Sequence, residues 1–182
     1  VSNMYAMFSL AESFNSELNN WNVSNVTNMA AMFSQASAFN QDISNWDVSN
    51  VSDMAYMFSD SPFNQDISNW DVSNVNDMEG IFSGADNLSD GNSCSIHQTW
   101  SSNDNWPYDW SDLCFQPQTK EELQTAVDLW TDDKPSALET YGEINTWDVS
   151  LITNMSRLFE AKFTFNDDIS NWDVSNVIDM SN

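Results

Sequence analysis

Apolar and polar positions along this chain follow one rhythm, switch to another, and then start over. In residues 39–58, FNQDISNWDVSNVSDMAYMF, the apolar positions begin at Ile43, Trp46 and Val48, and the last two alternate with Asn45, Asp47 and Ser49 as a half-buried strand requires. Val51, Met54, Met57 and Phe58 then follow at spacings of three, three and one, which predicts one face of a short helix or helical turn. Asn50 stands where an N-cap is needed and Asp53 follows three residues later, a capping-box-like pair. Asn25/Asn28, Asn74/Asp77 and Asn176/Asp179 repeat the arrangement, whereas Leu151 breaks it and leaves Ser150 as the cap.

The same unit recurs around Trp21, Trp46, Trp70, Trp147 and Trp172, with successive spacings of 25, 24, 77 and 25. The opening residues Val1, Met4, Met7 and Phe8 match Val26, Met29, Met32 and Phe33, and the sequence stops partway through another copy, as expected of a fragment of a longer repeat protein. One short strand and one short helical segment per turn, at a period of about 25, predict an α/β solenoid with a parallel sheet on one face. Trp21, Trp46 and Trp70 would form one interior ladder, with Met29, Met54 and Met78 and Phe33, Phe58 and Phe82 forming others. An aromatic stripe can also line a sugar groove, but fixed register over several copies favours a core.

The motif FNQDISNWDVSNVxDMxxMF resembles the BspA-like bacterial surface-protein repeats, short relatives of leucine-rich repeats; the likeness covers 1–88 and 143–182. The resemblance implies a leucine-rich-repeat-like solenoid, a place on the cell surface or in secreted proteins, and for some members a role in adhesion. It carries over no catalytic residues.

Between the arrays the pattern lapses. Residues 89–114 hold both cysteines and Trp100, Trp106 and Trp110 among scattered Gly, Pro, Ser and Asn, and are expected to form an irregular C-terminal cap over the first array, 1–88. Cys94 and Cys114, confined to this segment, suggest a disulfide closing a local loop. In 115–142, Thr119 and Glu122 form a capping box, and Leu123, Ala126, Val127 and Trp130 have helical spacing. That segment is expected to cap the start of a second, incomplete array, 143–182, as in eukaryotic members of the resembled family. The spacing of 77 is close to three periods, so degenerate copies are an alternative, against which stands the lack of any W-x-V-S there.

Composition narrows the partners. Four Lys+Arg against 28 Asp+Glu give a net charge of -24, which repels nucleic acid and anionic membranes and favours cations or neutral ligands such as glycans. The same charge keeps an aromatic-rich protein soluble. A hydrophobic fraction of 41% excludes a disordered acidic tail, and no apolar run is long enough to cross a bilayer. The paired cysteines and Asn-x-Ser/Thr sequons, with Asn22, Asn87 and Asn154 as glycosylation candidates, point to an extracellular or cell-surface location.

Candidate chemistry is concentrated on the outward column Asn22, Asp47 and Asp71, continued by Asp148 and Asp173, which is the candidate ligand face. Carboxylates about 5 Å apart repel by about 1 kcal/mol in water and about 3 kcal/mol at an effective dielectric of 20. Either solvent and flanking polar groups offset this, or calcium bridges adjacent turns through Asp42, Asp47, Asp66 and Asp71, although no EF-hand-type spacing is present. The only histidine, His97, sits among polar residues of the expected cap, which argues against a His-based triad and a multi-histidine zinc site, and no cofactor is implied. The resulting expectation is a non-enzymatic extracellular repeat protein, structural or adhesive, whose partners are surface or matrix proteins or further copies of itself. The rival is a glycan- or protein-binding module that uses the acidic face.

Overall fold

The computed structural model describes residues 1–181. The chain forms two compact units: unit 1 comprises Val1–Leu88 and Ile96–Asp109, and unit 2 comprises Ser89–Ser95 and Trp110–Asn182. Among the described residues there are three α-helices, α1 (Asp90–Trp100), α2 (Lys120–Asp132) and α3 (Lys134–Tyr141), and all of them lie outside the repeated copies.

The expected strand and helix of each copy do not form. Among the described residues there is no sheet; pairing is limited to isolated parallel bridges, Asn3 to Asn28, Asn28 to Asp53, Asp53 to Asp77 and Asn154 to Asp179. The α/β class with a parallel sheet is therefore incorrect, and the leucine-rich-repeat-like architecture built on it has no support. The cause is visible in the backbone. The Met57 N–H donates to the Met54 carbonyl at 3.1 Å and the Ser61 N–H to the Phe58 carbonyl at 3.3 Å. These bonds close two consecutive four-residue turns, and the third residue of each is left-handed: Tyr56 at φ 55 and Asp60 at φ 52. Ala31 and Gln35, Gly80 and Gly84, and Arg157 and Ala161 repeat the pair in other copies. A left-handed residue every four positions cannot continue a helix. Asn50, expected to cap one, instead donates its amide to the Ser24 carbonyl of the preceding copy at 2.8 Å, as Asn74 does to Ser49 and Asn176 to Ser150.

The turns of successive copies lie on one another in register. The N–H groups of Met29, Ala31, Phe33 and Gln35 donate to the carbonyls of Asp53, Ala55, Met57 and Ser59 at 2.8 to 2.9 Å. Met54, Tyr56, Phe58 and Asp60 repeat this towards Asp77, Glu79, Ile81 and Ser83. Among the described residues one backbone–backbone bond at each of these two junctions runs the opposite way, from Ser52 to Thr27 and from Asn76 to Ser52. Backbone groups that a helix or sheet would pair are thus paired between copies.

Aromatic columns fill unit 1. Phe8, Phe33, Phe58 and Phe82 stack with successive centroid separations of 5.6, 5.8 and 5.5 Å, and Phe14, Phe39 and Phe63 form a second column beside them. Trp46 and Trp70 stack at 6.3 Å, and both indoles are buried. Trp21, expected to open this ladder, is 36% exposed and tilts against Phe8. Trp100 continues the column at the other end, stacked on Trp70 at 6.2 Å. It is placed there by α1, in a segment expected to be irregular.

In unit 2 the hydroxyl of Thr119 accepts the Glu122 N–H at 3.2 Å and starts α2. The helix buries Leu123, Ala126, Val127 and Trp130 against Ile144, Trp147, Val149, Ile152 and Trp172. Gly91 approaches Gly142 so closely that a Cβ on Gly91 would stand 2.7 Å from the Gly142 Cα. Cys94 and Cys114 are joined in a disulfide across a sequence separation of 20.

Candidate functional site

The asparagine, glutamine and tryptophan side chains of the motif join one copy to the next. The Asn40 Oδ1 accepts the Asn64 N–H at 2.8 Å and the Gln65 amide at 2.9 Å, and Asn15 does the same for Asn40 and Gln41. Asn45 and Asn69 donate to the carbonyls of Asn19 and Ser44. Three of the motif's buried indoles donate their N–H backwards, Trp46 to the Leu18 carbonyl at 3.0 Å, Trp70 to Ile43 at 3.2 Å and Trp172 to Ile144 at 2.7 Å.

The aspartates act within their own copy. Asp42 and Asp66 each accept the N–H of the serine two residues on at 2.9 Å, and Asp47, Asp71, Asp148 and Asp173 repeat this with Ser49, Ser73, Ser150 and Ser175. This is the Asx turn that an Asp-x-Ser sequence favours. Asp47 is held below the usual carboxylate range first by the Ser49 hydroxyl and then by its N–H; repulsion from Asp71 opposes this as the weakest influence. The column's self-repulsion is thus outweighed locally by serine donors. Asn22, Asp47, Asp71 and Asp173 are exposed, whereas Asp148 is half-buried and also accepts the Gln116 amide.

Calcium bridging through Asp42, Asp47, Asp66 and Asp71 finds no assembled ligand set: among the described residues no three His, Cys, Asp or Glu side chains gather to hold a metal ion. Of the sequon asparagines, Asn22 and Asn87 are exposed, while Asn154 is half-buried and donates its amide to Asp179 at 3.4 Å. His97 braces the unit 1 cap: its Nδ1 accepts the Trp106 indole N–H at 3.1 Å, and its Nε2 lies 4.0 Å from the Asp109 carboxylate.

One concavity adjoins the acidic column in unit 1. A groove of about 420 Å³ lies between the last turn, which contributes Asp71, Ser73 and Asn76, and the segment after α1, which contributes Ser102, Asp104 and Asn105. Asn103 ties the two sides together, its amide donating to the carbonyls of Val72 at 2.8 Å and Val75 at 3.0 Å. The sequence marked Asp71 through its repeat but gave no signal for Asp104 or Asn105, which occur once and outside any copy.

A family model described as "Mycoplasma protein of unknown function, DUF285" matches residues 1–95 and 133–182. The chain belongs to the DUF285 family. No curated protein and no solved structure matches the chain. The DUF285 match covers the stacked copies and both edges of the intervening segment, so the family pattern coincides with the residues that hold copy to copy. Among the described residues of this DUF285 protein, no helix is long and apolar enough to cross a membrane.

Proposed function

We propose that this DUF285 protein is a non-enzymatic, extracellular structural or adhesive component of a cell-surface layer, filament or matrix. The observation that carries the reading is the commitment of the motif's amides and indoles to bonds between copies, which leaves the repeated residues with a building role and a solvated acidic exterior. A disulfide supports an oxidising compartment, and the resemblance of the motif to BspA-like surface repeats agrees with it. Catalysis has little to work with, because the recurring carboxylates are tied into Asx turns.

Protease treatment of intact cells tests the location: loss of the protein from undamaged cells is expected, and full protection until lysis would overturn it. Negative-stain images of the native material should show regular layers or filaments. The binding reading is favoured by one feature, the exposed outer oxygens of Asp47 and Asp71 beside an open groove.

A further inference from the structure

We propose that the groove between the last turn of unit 1 and the segment after α1 receives a lysine or arginine side chain of a basic partner protein, whose neighbouring residues lie along Asp71 and Asp47. The inference extends the binding reading above and does not depend on the structural one.

What the groove offers is acceptors. The Asp71 carboxylate takes the Ser73 N–H at 3.1 Å and a bond from the Ser73 hydroxyl, which leaves acceptor lone pairs for a ligand, and Asp104 is exposed on the opposite wall. The amide donors nearby are already engaged: Asn103 with Val72 and Val75, Asn105 with Val75 and Asn103, and Asn76 with Asn74. The Ser102 hydroxyl donates to the Thr99 carbonyl at 3.2 Å and keeps its lone pairs. A ligand must therefore bring the hydrogens. Unit 1 contains no lysine or arginine, since all four of the chain's basic residues lie at 120 or beyond, so nothing within the unit neutralises these carboxylates. A guanidinium or ammonium group meets both needs.

Two other ligand classes fit less well. Pyranose rings usually need an aromatic face, and the indole that lines the groove, Trp70, has both faces covered by Trp46 at 6.3 Å and Trp100 at 6.2 Å. For a divalent cation, no three His, Cys, Asp or Glu side chains gather to hold it among the described residues. The exposed Asp47, close enough to Asp71 to feel its charge, extends the negative surface beyond the groove, which suits a chain of several basic residues rather than a lone amine.

The test measures binding of a short fluorescent peptide with three spaced arginines to the intact, oxidised chain by anisotropy, at low and at physiological salt. A citrulline version of the peptide and a set of neutral oligosaccharides serve as comparison probes. Asp104→Asn is expected to weaken the arginine peptide about tenfold and Asp71→Asn to do at least as much. The distant exposed control Asp86→Asn should change it less than twofold, and the citrulline peptide should not bind. Melting curves of each variant confirm the fold; if Asp71→Asn loosens it, Asp104→Asn alone decides, since Asp104 makes no turn bond. Equal weakening by Asp86→Asn and Asp104→Asn would show diffuse attraction to an acidic protein and overturn the groove, as would oligosaccharide binding that Asp104→Asn abolishes. Failure here leaves the cell-surface location untouched, and a protein protected from protease on intact cells leaves the peptide measurement standing.

Discussion

Trp46 and Trp70 each meet their neighbours twice, by ring face and by N–H, whereas the buried Trp100 meets them by ring alone and its indole N–H has no partner among the described residues. Trp46 is 4% exposed, stacks on Trp70 and donates to the Leu18 carbonyl, so Trp46→Phe keeps much of the stacking but removes the indole bond and leaves that carbonyl with the Trp21 N–H alone. The lost bond is expected to cost about 0.5 to 1.5 kcal/mol in denaturant unfolding, with the smaller ring adding to it. Trp21, at 36% exposure, should tolerate the same change at under about 1 kcal/mol. Equal losses at the two positions would mean that the ladder bond contributes nothing. The abundance of asparagine has a similar explanation, because Asn45, Asn50, Asn69 and Asn74 each supply an amide donor to a carbonyl of the copy before, which aspartate cannot do.

At the level of the element, the turn pair replaces the helix, and its strain sits at the left-handed residues. Ala31→Gly relieves about 1 to 2 kcal/mol of that strain against about 0.5 to 1 kcal/mol of added chain entropy, so a small rise in melting temperature is expected. Gly91→Ala goes the other way. Its Cβ would meet the Leu138 carbonyl oxygen at 2.6 Å and the Gly142 nitrogen at 2.8 Å, all backbone, and unit 2 should lose about 2 kcal/mol or more, visible as an earlier unfolding step. The burial of Val51, Met54, Met57 and Phe58 was legible in the sequence, and all four are fully buried. Their conformation was not legible, since turns closed every three residues place side chains inward at the same spacing as a helix face. α2 could be read because Thr119 and Glu122 mark its start and its apolar stripe is regular. α1, DGNSCSIHQTW, shows neither signal, so the continuation of the ring column by Trp100 and the wall of the groove at Asp104 were both invisible. Position in a repeat identified the acidic column; a site finished by residues that occur once leaves no period to detect.

For the molecule as a whole, charge and the disulfide set the response to solution conditions. Asp42, Asp71 and Asp148 are held below the usual carboxylate range mainly by the serine hydroxyl two residues on, and Asp168, Asp173 and Asp179 mainly by the serine N–H. A carboxylate with a depressed folded pKa stabilises the fold above its unfolded value of about 3.9, and the contribution is lost as pH falls through the folded value. Melting temperature should therefore hold from neutrality to about pH 4 and drop below it. At neutral pH, raising salt from about 0.02 M to about 0.2 M should increase it, because a net charge of -24 repels itself and screening relieves that. Reduction of Cys94–Cys114 opens the loop that these residues close and should cost about 3 kcal/mol, read as a lower midpoint with dithiothreitol present.

The N–H groups of Met29, Ala31, Phe33 and Gln35 face the copy that follows, and the carbonyls that receive them face back. Such a column has a head and a tail. A whole copy can be duplicated or excised and its neighbours will rejoin across the same contacts, whereas an inverted one finds donor against donor. Length thereby becomes the property that recombination between similar gene segments can alter most freely, a molecular ruler adjusted in whole notches.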